Sequence, residues 1–442
     1  MRSLLSRCWI SAAAVIIALG VGEPARCQSP SPGAFRLTDL KFTGLNRYTD
    51  AQVSAAIGLH EGDSINPAQL AAEANKLSAS GAFDHVSYRY TTQGDELSAV
   101  FQVTETKNVL PCLFDNFVWF SDEELDKTLR LHVPFYTGTA PETGETVQQI
   151  SAALRLLLQS NGITATVEEL PYSEHMGGPI IGLQFSAEGV PIPIHSVSFP
   201  GASVISEQEL VAASSFMMEK DFAYSFVSQF AAGALIPMYQ DRGYLRAKFG
   251  RPQVKLMIDS ANGPPANGPV NVAVRLPVDE GSQYFWQKAT WQGNRLLSAE
   301  DLDRLLAMKP QEVANAKKID DGFTAVRKAY GKQGYIAVVI EPKQNLDDSA
   351  RLAAYDVSIV EGTQYHMGQI HFEGLPDKIS NELMKKWQLQ PGQVYDESYT
   401  SDFLDKVLVP KIAEARLGGR RVNVTVKPDA ASATVDVSYA VQ

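Results

Sequence analysis

Residues Phe42-Thr43-Gly44, followed by Thr49-Asp50-Ala51-Gln52, form the first copy of the pattern that decides the fold. In this pattern an aromatic-x-Gly strand end is followed within a few residues by Ser or Thr, which favours the start of a helix. Later copies are Phe199-Pro200-Gly201 with Ser206, Trp291-Gln292-Gly293 with Ser298, and Phe372-Glu373-Gly374 with Ser380. Because these later glycines recur about every 80–90 residues, the sequence predicts an array of small modules rather than one large domain.

Each copy predicts the order strand, helix, helix, strand, strand. In the first copy Leu40 and Phe42 alternate with polar residues, as in a half-buried strand. Thr49 and Gln52 favour a capped first helix, and Gly81 ends the second helix. Two further strands then form a hairpin. Two helices covering one face of a three-stranded sheet make each module an α+β fold.

We name the five copies modules 1 to 5. Their predicted boundaries are 33–107, 108–190, 191–281, 282–363 and 364–442. Module 2 is divergent, because no glycine follows Trp119-Phe120. The connections between modules are short, as at 278–284 and 360–365, which predicts an elongated, semi-rigid array. Pro237 and Pro410 fall inside predicted second helices, where we expect bends.

Residues 1–27 have the features of a secretory signal peptide. Arg2 and Arg7 precede the apolar stretch 10–21, and Ala25-Arg26-Cys27 suits cleavage. Lipid modification of Cys27 is the alternative. No later stretch reaches the roughly 18 uninterrupted apolar residues of a membrane-spanning helix. We therefore expect an exported chain with no direct membrane span.

The composition and motifs argue against several classes of function. The 442 residues are 45% hydrophobic and 20% charged, as in a folded protein. Asp and Glu number 50 against 39 Lys and Arg, and an acidic body is poorly suited to nucleic acid. None of the 7 histidines pairs with another at metal-ligand spacing. Without a phosphate loop, a nucleophile elbow or a Cys–His arrangement, the sequence predicts no cofactor and no enzymatic activity.

Together the repeats resemble POTRA domains, the polypeptide-transport-associated modules. The resemblance rests on the aromatic-x-Gly strand end and on several further motifs. These are Ser-Gly-Ala-Phe (80–83), Asp-Arg-Gly-Tyr (241–244), Lys-Gln-Gly-Tyr (332–335) and the joints at 278–284 and 360–365. In that family the modules form periplasmic arms of outer-membrane β-barrel assembly and translocation proteins. The resemblance therefore implies a periplasmic location, associated with the outer membrane.

The resemblance also implies the class of partner. The modules of the family receive unfolded polypeptide or hold accessory proteins, so unfolded outer-membrane proteins are the expected clients. Such arms usually continue into a barrel, whereas the third strand of module 5 ends near Tyr439. We expect either a separately encoded outer-membrane β-barrel as partner or a scaffold of POTRA domains alone. A structural spacer that binds only folded partners of an envelope complex is the alternative function.

By analogy with the family, the second strand of each module is the edge for β-strand addition. In module 4 this predicts a strand over 335–340 that is apolar on both faces. The candidate contact residues are Tyr335, Ile336, Val338 and Ile340 in module 4, and Val86, Tyr88 and Tyr90 in module 1. Coverage of the edge by a neighbouring module, or packing of these side chains in the core, is the alternative.

Seven glycines are predicted to have structural roles in turns and caps. They are Gly44, Gly201, Gly293 and Gly374 after first strands, and Gly81, Gly243 and Gly334 after second helices. A helix commonly ends in a left-handed residue, a conformation that glycine adopts without strain. Glu280 and Glu361 recur at equivalent joints, so we expect their carboxylates to accept backbone N–H groups there.

Overall fold

The computed structural model describes residues 34–173, 177–257, 269–415 and 421–442. The predicted signal peptide, with Cys27, lies outside these residues. The chain divides into two compact units. Unit 1 contains the described residues up to Cys112 together with Asp126–Ala153, and unit 2 contains Leu113–Leu125 together with the described residues from Leu154 onward. Module 2 is thus divided between the units, and the module boundaries remain predictions.

Unit 1 contains all of module 1 and part of module 2. Its elements are β1 (Phe35–Thr43), α1 (Asp50–Ile57), β2 (Ser64–Ile65), α2 (Pro67–Ala79), β3 (Phe83–Gln93), β4 (Glu96–Glu105), β5 (Val109–Phe114), α3 (Asp122–His132), β6 (Thr139–Pro141) and α4 (Glu145–Ser160). Of these, β5, α3 and α4 continue into unit 2. The module 1 sheet has the order β2-β1-β4-β3, with β4 parallel to β1 and antiparallel to β3.

Local sequence accounts for the module 1 elements and their core. Thr49 and Asn66 cap α1 and α2, each in a capping box with the glutamine three residues later. Every second residue of β4 from Leu97 to Val103 is buried, which directs one face of the sheet toward the helices. Phe135, which follows α3, enters this core, and its ring centroid lies 5.1 Å from that of Tyr48.

Unit 2 contains the remaining strands and helices. Its further strands are β7 (Thr166–Tyr172), β8 (Gly182–Glu188), β9 (Ile194–Ser198), β10 (Lys248–Phe249), β11 (Gln253–Leu256), β12 (Val272–Arg275), β13 (Val278–Asp279), β14 (Phe285–Gln292), β15 (Val339–Asp347), β16 (Leu352–Val360), β17 (His366–Glu373), β18 (Val422–Asp429) and β19 (Thr434–Val441). Its further helices are α5 (Glu207–Ala213), α6 (Tyr224–Phe230), α7 (Ile236–Gln240), α8 (Ala299–Leu306), α9 (Ala316–Gly331), α10 (Asp377–Lys386), α11 (Glu397–Phe403) and α12 (Val409–Glu414).

Modules 3, 4 and 5 repeat the topology of module 1. Their strand orders are β9-β12-β11, β14-β16-β15 and β17-β19-β18. In each, the third strand is central, parallel to the first strand and antiparallel to the second. Each has its own hydrophobic core between sheet and helices. In module 2, β7 pairs antiparallel with β8. The predicted α+β fold of tandem β-α-α-β-β modules is confirmed.

The two helix-interior prolines follow widened helical turns. A π-helical turn at Ala231–Leu235 precedes Pro237 in α7, and another at Leu404–Leu408 precedes Pro410 in α12. Proline has no N–H to donate, and its ring crowds the carbonyl one turn earlier. The chain accommodates it by a local change of hydrogen-bond spacing, the same way in both modules.

The predicted strand over 335–340 is wrong in its first four residues, because β15 begins at Val339. Residues 335–338 form a turn in which the N–H of Val338 donates to the carbonyl of Tyr335 at 3.2 Å. The side chain of Ile336 packs against the core of module 5. Module 3 has the equivalent turn after Gly243, and Leu245 packs against the core of module 4. These residues therefore build joints between modules before the second strand starts.

Candidate functional site

The site predicted from the sequence is the free edge of each sheet. In modules 1, 3, 4 and 5 the second strand lies at one end of the strand order, as β3, β11, β15 and β18. At the other end, short segments between the helices pair with the start of the first strand, as β2 in module 1 and the Phe285–Val313 bridge in module 4. Among the described residues, the second strand therefore presents the longer uncovered edge.

Along β3, the backbone N–H and C=O groups of successive residues point alternately toward β4 and toward the open edge. The carbonyl of Asp95, directly before β4, accepts from the N–H of Arg36 in β1 at 2.8 Å. Odd-numbered residues of β4 therefore face β1, and even-numbered residues such as Gln102 face β3, where Ser87 lies opposite. The β3 residues that direct their N–H and C=O groups to the open edge are Val86, Tyr88, Tyr90 and Thr92.

Three of these four residues are the module 1 candidates, but their side chains lie on the helix-covered face. Val86 and Tyr88 pack against the core of module 1, and the Tyr88 ring lies 5.8 Å from that of Phe101. Tyr90 lies farther along the strand and is 43% exposed. The backbones of these residues, rather than their side chains, form the free edge.

Prolines distinguish the edge strands from one another. Pro171 in β7, Pro342 in β15 and Pro428 in β18 each remove a backbone donor. In β7 the carbonyl of Tyr172 accepts from Ile181 at 2.8 Å, so the adjacent Pro171 faces away from β8 toward the edge. β11 is only 4 residues long, whereas β3 has 11 residues and no proline. Among the described residues, β3 is thus the longest of the five edge strands, and no proline interrupts its row of outward donors.

The module 4 candidates do not form such an edge. Tyr335, Ile336 and Val338 lie in the turn before β15, and Val338 is buried. Ile340 is in β15 opposite Ile359, only two residues before Pro342. The sequence pattern located the second strand of the module but placed its start too early, and its role in strand addition stays a prediction.

The predicted structural glycines share one conformation. Gly44, Gly201, Gly293, Gly374, Gly81, Gly243 and Gly334 all have φ between 74° and 94°. A Cβ at any of the first four would overlap a backbone carbonyl oxygen near the end of the central strand, as at Val103 beside Gly44 and Ile359 beside Gly293. Positive φ and the lack of space together explain why the repeated pattern requires glycine.

Module 2 replaces this glycine by an amide side chain. Its first strand ends at Phe114, and not near Trp119-Phe120 as the sequence had suggested. Asn116 then takes the glycine position, accepting from the N–H of Ala187 at 2.7 Å and donating to the Ala187 carbonyl at 2.9 Å.

In modules 1, 3 and 4, a glutamate close to the end of the module accepts hydrogen bonds from the loop that follows the first strand. Glu105, Glu280 and Glu361 accept the backbone N–H groups of Asn46, Ser203 and Arg295 at 2.8, 2.8 and 2.6 Å. Burial alone would raise the pKa of Glu280 and Glu361, but hydrogen bonds to their carboxylates hold both pKa values below the ordinary range. Sequence reasoning found Glu280 and Glu361 and missed Glu105. Glu105 lies two residues after Val103, just as Glu280 lies two residues after Val278 and Glu361 two residues after Ile359.

Other reactive chemistry is sparse. Among the residues that the structure describes, no group of three or more His, Cys, Asp or Glu is arranged to hold a metal ion. Burial raises the pKa of the Cys112 thiol to about 12, so it stays protonated at neutral pH. Within the same described ranges, no helix has both the length and the apolar character needed to cross a membrane.

A family model supports the likeness seen in the repeats. The model described as the surface antigen variable number repeat, POTRA, matches residues 35–106 and 284–362. These ranges contain β1–β4 of unit 1 and β14–β16 of unit 2. These two stretches of the chain, together about a third of its residues, are similar to POTRA repeats. The predicted resemblance is thereby confirmed.

Two curated proteins align with part of this chain. A Treponema pallidum protein that carries the provisional name outer membrane protein assembly factor is 25% identical over 234 residues, which are 52% of this chain and 27% of that protein. Outer membrane protein assembly factor BamA of Nitratidesulfovibrio vulgaris is 21% identical over 188 residues, or 40% of this chain and 24% of that protein. The chain thus spans about a quarter of the length of these relatives.

Solved structures give a similar comparison. POTRA domains 3–5 of BamA from Haemophilus influenzae align with a TM-score of 0.42 and 21% identity. That alignment covers 57% of this chain and 96% of the other.

Proposed function

We propose that this POTRA chain is a non-enzymatic periplasmic scaffold in outer-membrane protein assembly, and that it binds extended segments of client or partner chains as an added strand on β3. The names of the curated relatives, both outer membrane protein assembly factors, support a role in that assembly process. The observation that carries the binding mode is the row of outward-facing backbone groups on β3, which has no proline.

Backbone pairing suits a scaffold that receives many different chains. An added strand uses the N–H and C=O groups that every polypeptide has, so binding depends little on the sequence of the client. Each hydrogen bond contributes only about 0.5–1.5 kcal/mol net, and binding to one module is therefore weak. Several modules acting in series raise the overall affinity.

The test compares two substitutions at one position of the full chain. Tyr90→Pro removes one outward N–H and leaves the residues that pair with β4 in place, whereas Tyr90→Ala removes the same side chain and keeps the N–H. The probe is a labelled peptide of about ten residues from an outer-membrane barrel strand, followed by fluorescence anisotropy. We expect Tyr90→Pro to weaken binding about tenfold, and Tyr90→Ala to change it by less than about threefold.

The outcomes separate the scaffold from the alternative spacer function. Equal binding by wild type and Tyr90→Pro, or equal losses in the two variants, would contradict strand addition on β3. If no barrel-strand peptide binds wild type while a folded barrel still co-purifies, the spacer function is favoured. Hydrogen exchange of peptides from module 1 tests whether that module remains folded in each variant.

A further inference from the structure

Module 2 differs from the other modules in the charge of its sheet. The segment 108–190 has 11 acidic and 3 basic residues, and this net charge of −8 is most of the −11 of the whole chain. Its basic residues are Lys127 and Arg130 on α3 and Arg155 on α4. The strands β5 to β8, as described, therefore contain no lysine or arginine.

In the other modules, the sheet face opposite the helices carries a cation. These cations are Arg89 on β3, Lys255 on β11, Lys343 on β15 and Lys427 on β18. In modules 4 and 5 the cation lies across from an aspartate, with Lys343 opposite Asp356 and Lys427 opposite Asp436. Such cross-strand pairs neutralise the open face.

The open face of module 2 combines apolar and acidic side chains instead. Leu183, Phe185 and Ala187 of β8 are buried, which defines the inner face of the β7–β8 pair. Leu170 lies opposite Gln184 and hence on the outer face, where it is 51% exposed.

Further residues extend this outer surface. Glu168 and Tyr172 flank Leu170 on the same face at two-residue spacing, and the exposed Glu188 lies opposite Thr166. Leu113 of β5 is also exposed, and the adjacent Phe114 packs inward with its ring 6.0 Å from that of Phe185. Because successive side chains of a strand point to opposite faces, Leu113 belongs to the outer face as well.

We propose that this outer face of module 2 is a docking surface for a basic, apolar-patterned extended segment of another polypeptide. The exposed leucines provide contact area, and the carboxylates of Glu168 and Glu188 have no lysine or arginine on the neighbouring strands to neutralise them. A ligand with lysine or arginine beside apolar residues complements both features.

The spacing of the surface indicates the pattern of the ligand. Glu168, Leu170 and Tyr172 are two residues apart, and alternate residues of an extended ligand repeat at the same distance of about 6.8 Å. Pro171 interrupts the backbone edge of β7, so recognition here relies on side chains. The inference rests on the proposed role in holding polypeptide partners, but it concerns a different surface from β3.

The experiment uses the full chain and three labelled peptides in a fluorescence anisotropy titration. One peptide alternates lysine with leucine, the second alternates lysine with serine, and the third alternates glutamate with leucine. The protein variants are Leu170→Ser and Glu168→Lys, and Glu341→Lys on the open face of module 4 is the matched control. The residues changed in module 2 are exposed, so we expect all variants to remain folded.

We expect the lysine–leucine peptide to bind at least tenfold more tightly than the other two peptides. Leu170→Ser and Glu168→Lys should each weaken it at least fivefold, and Glu341→Lys less than twofold. If the lysine–serine peptide binds as tightly as the lysine–leucine peptide, or if Glu341→Lys weakens binding as much as the module 2 variants do, binding is nonspecific charge attraction and the proposal is overturned. Failure of the lysine–leucine peptide to bind would also overturn it. Tyr90→Pro should leave binding of the lysine–leucine peptide unchanged, which distinguishes binding at module 2 from strand addition on β3.

Discussion

β3 in module 1 and β15 in module 4 occupy the same place in the same topology, but they present different edges. Each is the second strand of its module and lies antiparallel to the central strand. β3 starts at Phe83, two residues after Gly81, and has 11 residues without proline. β15 starts at Val339, five residues after Gly334, and contains Pro342.

The difference follows from what the chain does directly after the second helix. In module 4, residues 335–338 turn and place Ile336 against the core of module 5, so this stretch is unavailable for the sheet. In module 1 the chain enters the strand at once, and Phe83 contributes to the core from the strand itself. The same motif, a glycine followed by an apolar residue, thus leads directly into a long edge strand in module 1. In module 4 it leads into a turn that packs against the next module.

The largest loss of stability is expected at the glycine that follows the first strand, which modules 1 and 4 share. Gly44→Val in module 1 and Gly293→Val in module 4 each place a branched side chain at positive φ against a backbone carbonyl. Each should lower the free energy of unfolding of its own module by more than about 2 kcal/mol. Gly94→Val is the control, because Gly94 has positive φ with open space around it, and its loss should be smaller. Hydrogen exchange of peptides from each module measures the loss of stability in all three variants. A larger loss for Gly94→Val than for Gly44→Val would contradict the assigned role of Gly44.

The second prediction concerns the joint glutamate and its pH dependence. Although burial opposes it, hydrogen bonds from Leu296 and Arg295 hold the pKa of Glu361 below its ordinary value. The stabilising contribution is therefore complete above the ordinary pKa of about 4.3 and is lost as the pH falls through that value toward the lower folded-state pKa.

Replacing this carboxylate should reveal that dependence. Glu361→Gln should lower the stability of module 4 by about 1 kcal/mol at pH 7 and by less at pH 3.5. Hydrogen exchange of peptides from module 4, followed as a function of urea concentration, measures both values. A difference between wild type and variant that is the same at both pH values would show that the ionised carboxylate is not what stabilises the joint.

The smallest effect is a gain of binding in module 4. Pro342→Thr restores a backbone N–H at a position that faces the open edge of β15. We expect barrel-strand peptides to bind the variant about two- to fivefold more tightly than wild type, since one added hydrogen bond contributes about 0.5–1 kcal/mol. The gain should persist when Tyr90→Pro is present. If the gain depends on an intact β3, Pro342 does not control the edge of β15.

The sequence predicted the repeated topology well because glycine at positive φ, the helix caps and period-two burial are local signals. Gly44, Thr49 and Asn66 each act within their own module. The start of β15 could not be predicted in this way. Tyr335 and Ile336 would suit a strand, but Ile336 packs against the core of the next module and Tyr335 against the core of its own. The outward direction of the Val86, Tyr88 and Tyr90 backbones required the register against β4, which the sequence does not contain.

The most direct test measures amide protection in β3 on isotope-labelled full-length chain with and without a barrel-strand peptide. Strand addition predicts that the amides of Val86, Tyr88, Tyr90 and Thr92 become protected from exchange when the peptide is bound. The amides of Ser87 and Arg89, already paired with β4, should change little. Saturated peptide binding with no added protection at those four amides, or with protection confined to β15, would contradict the account.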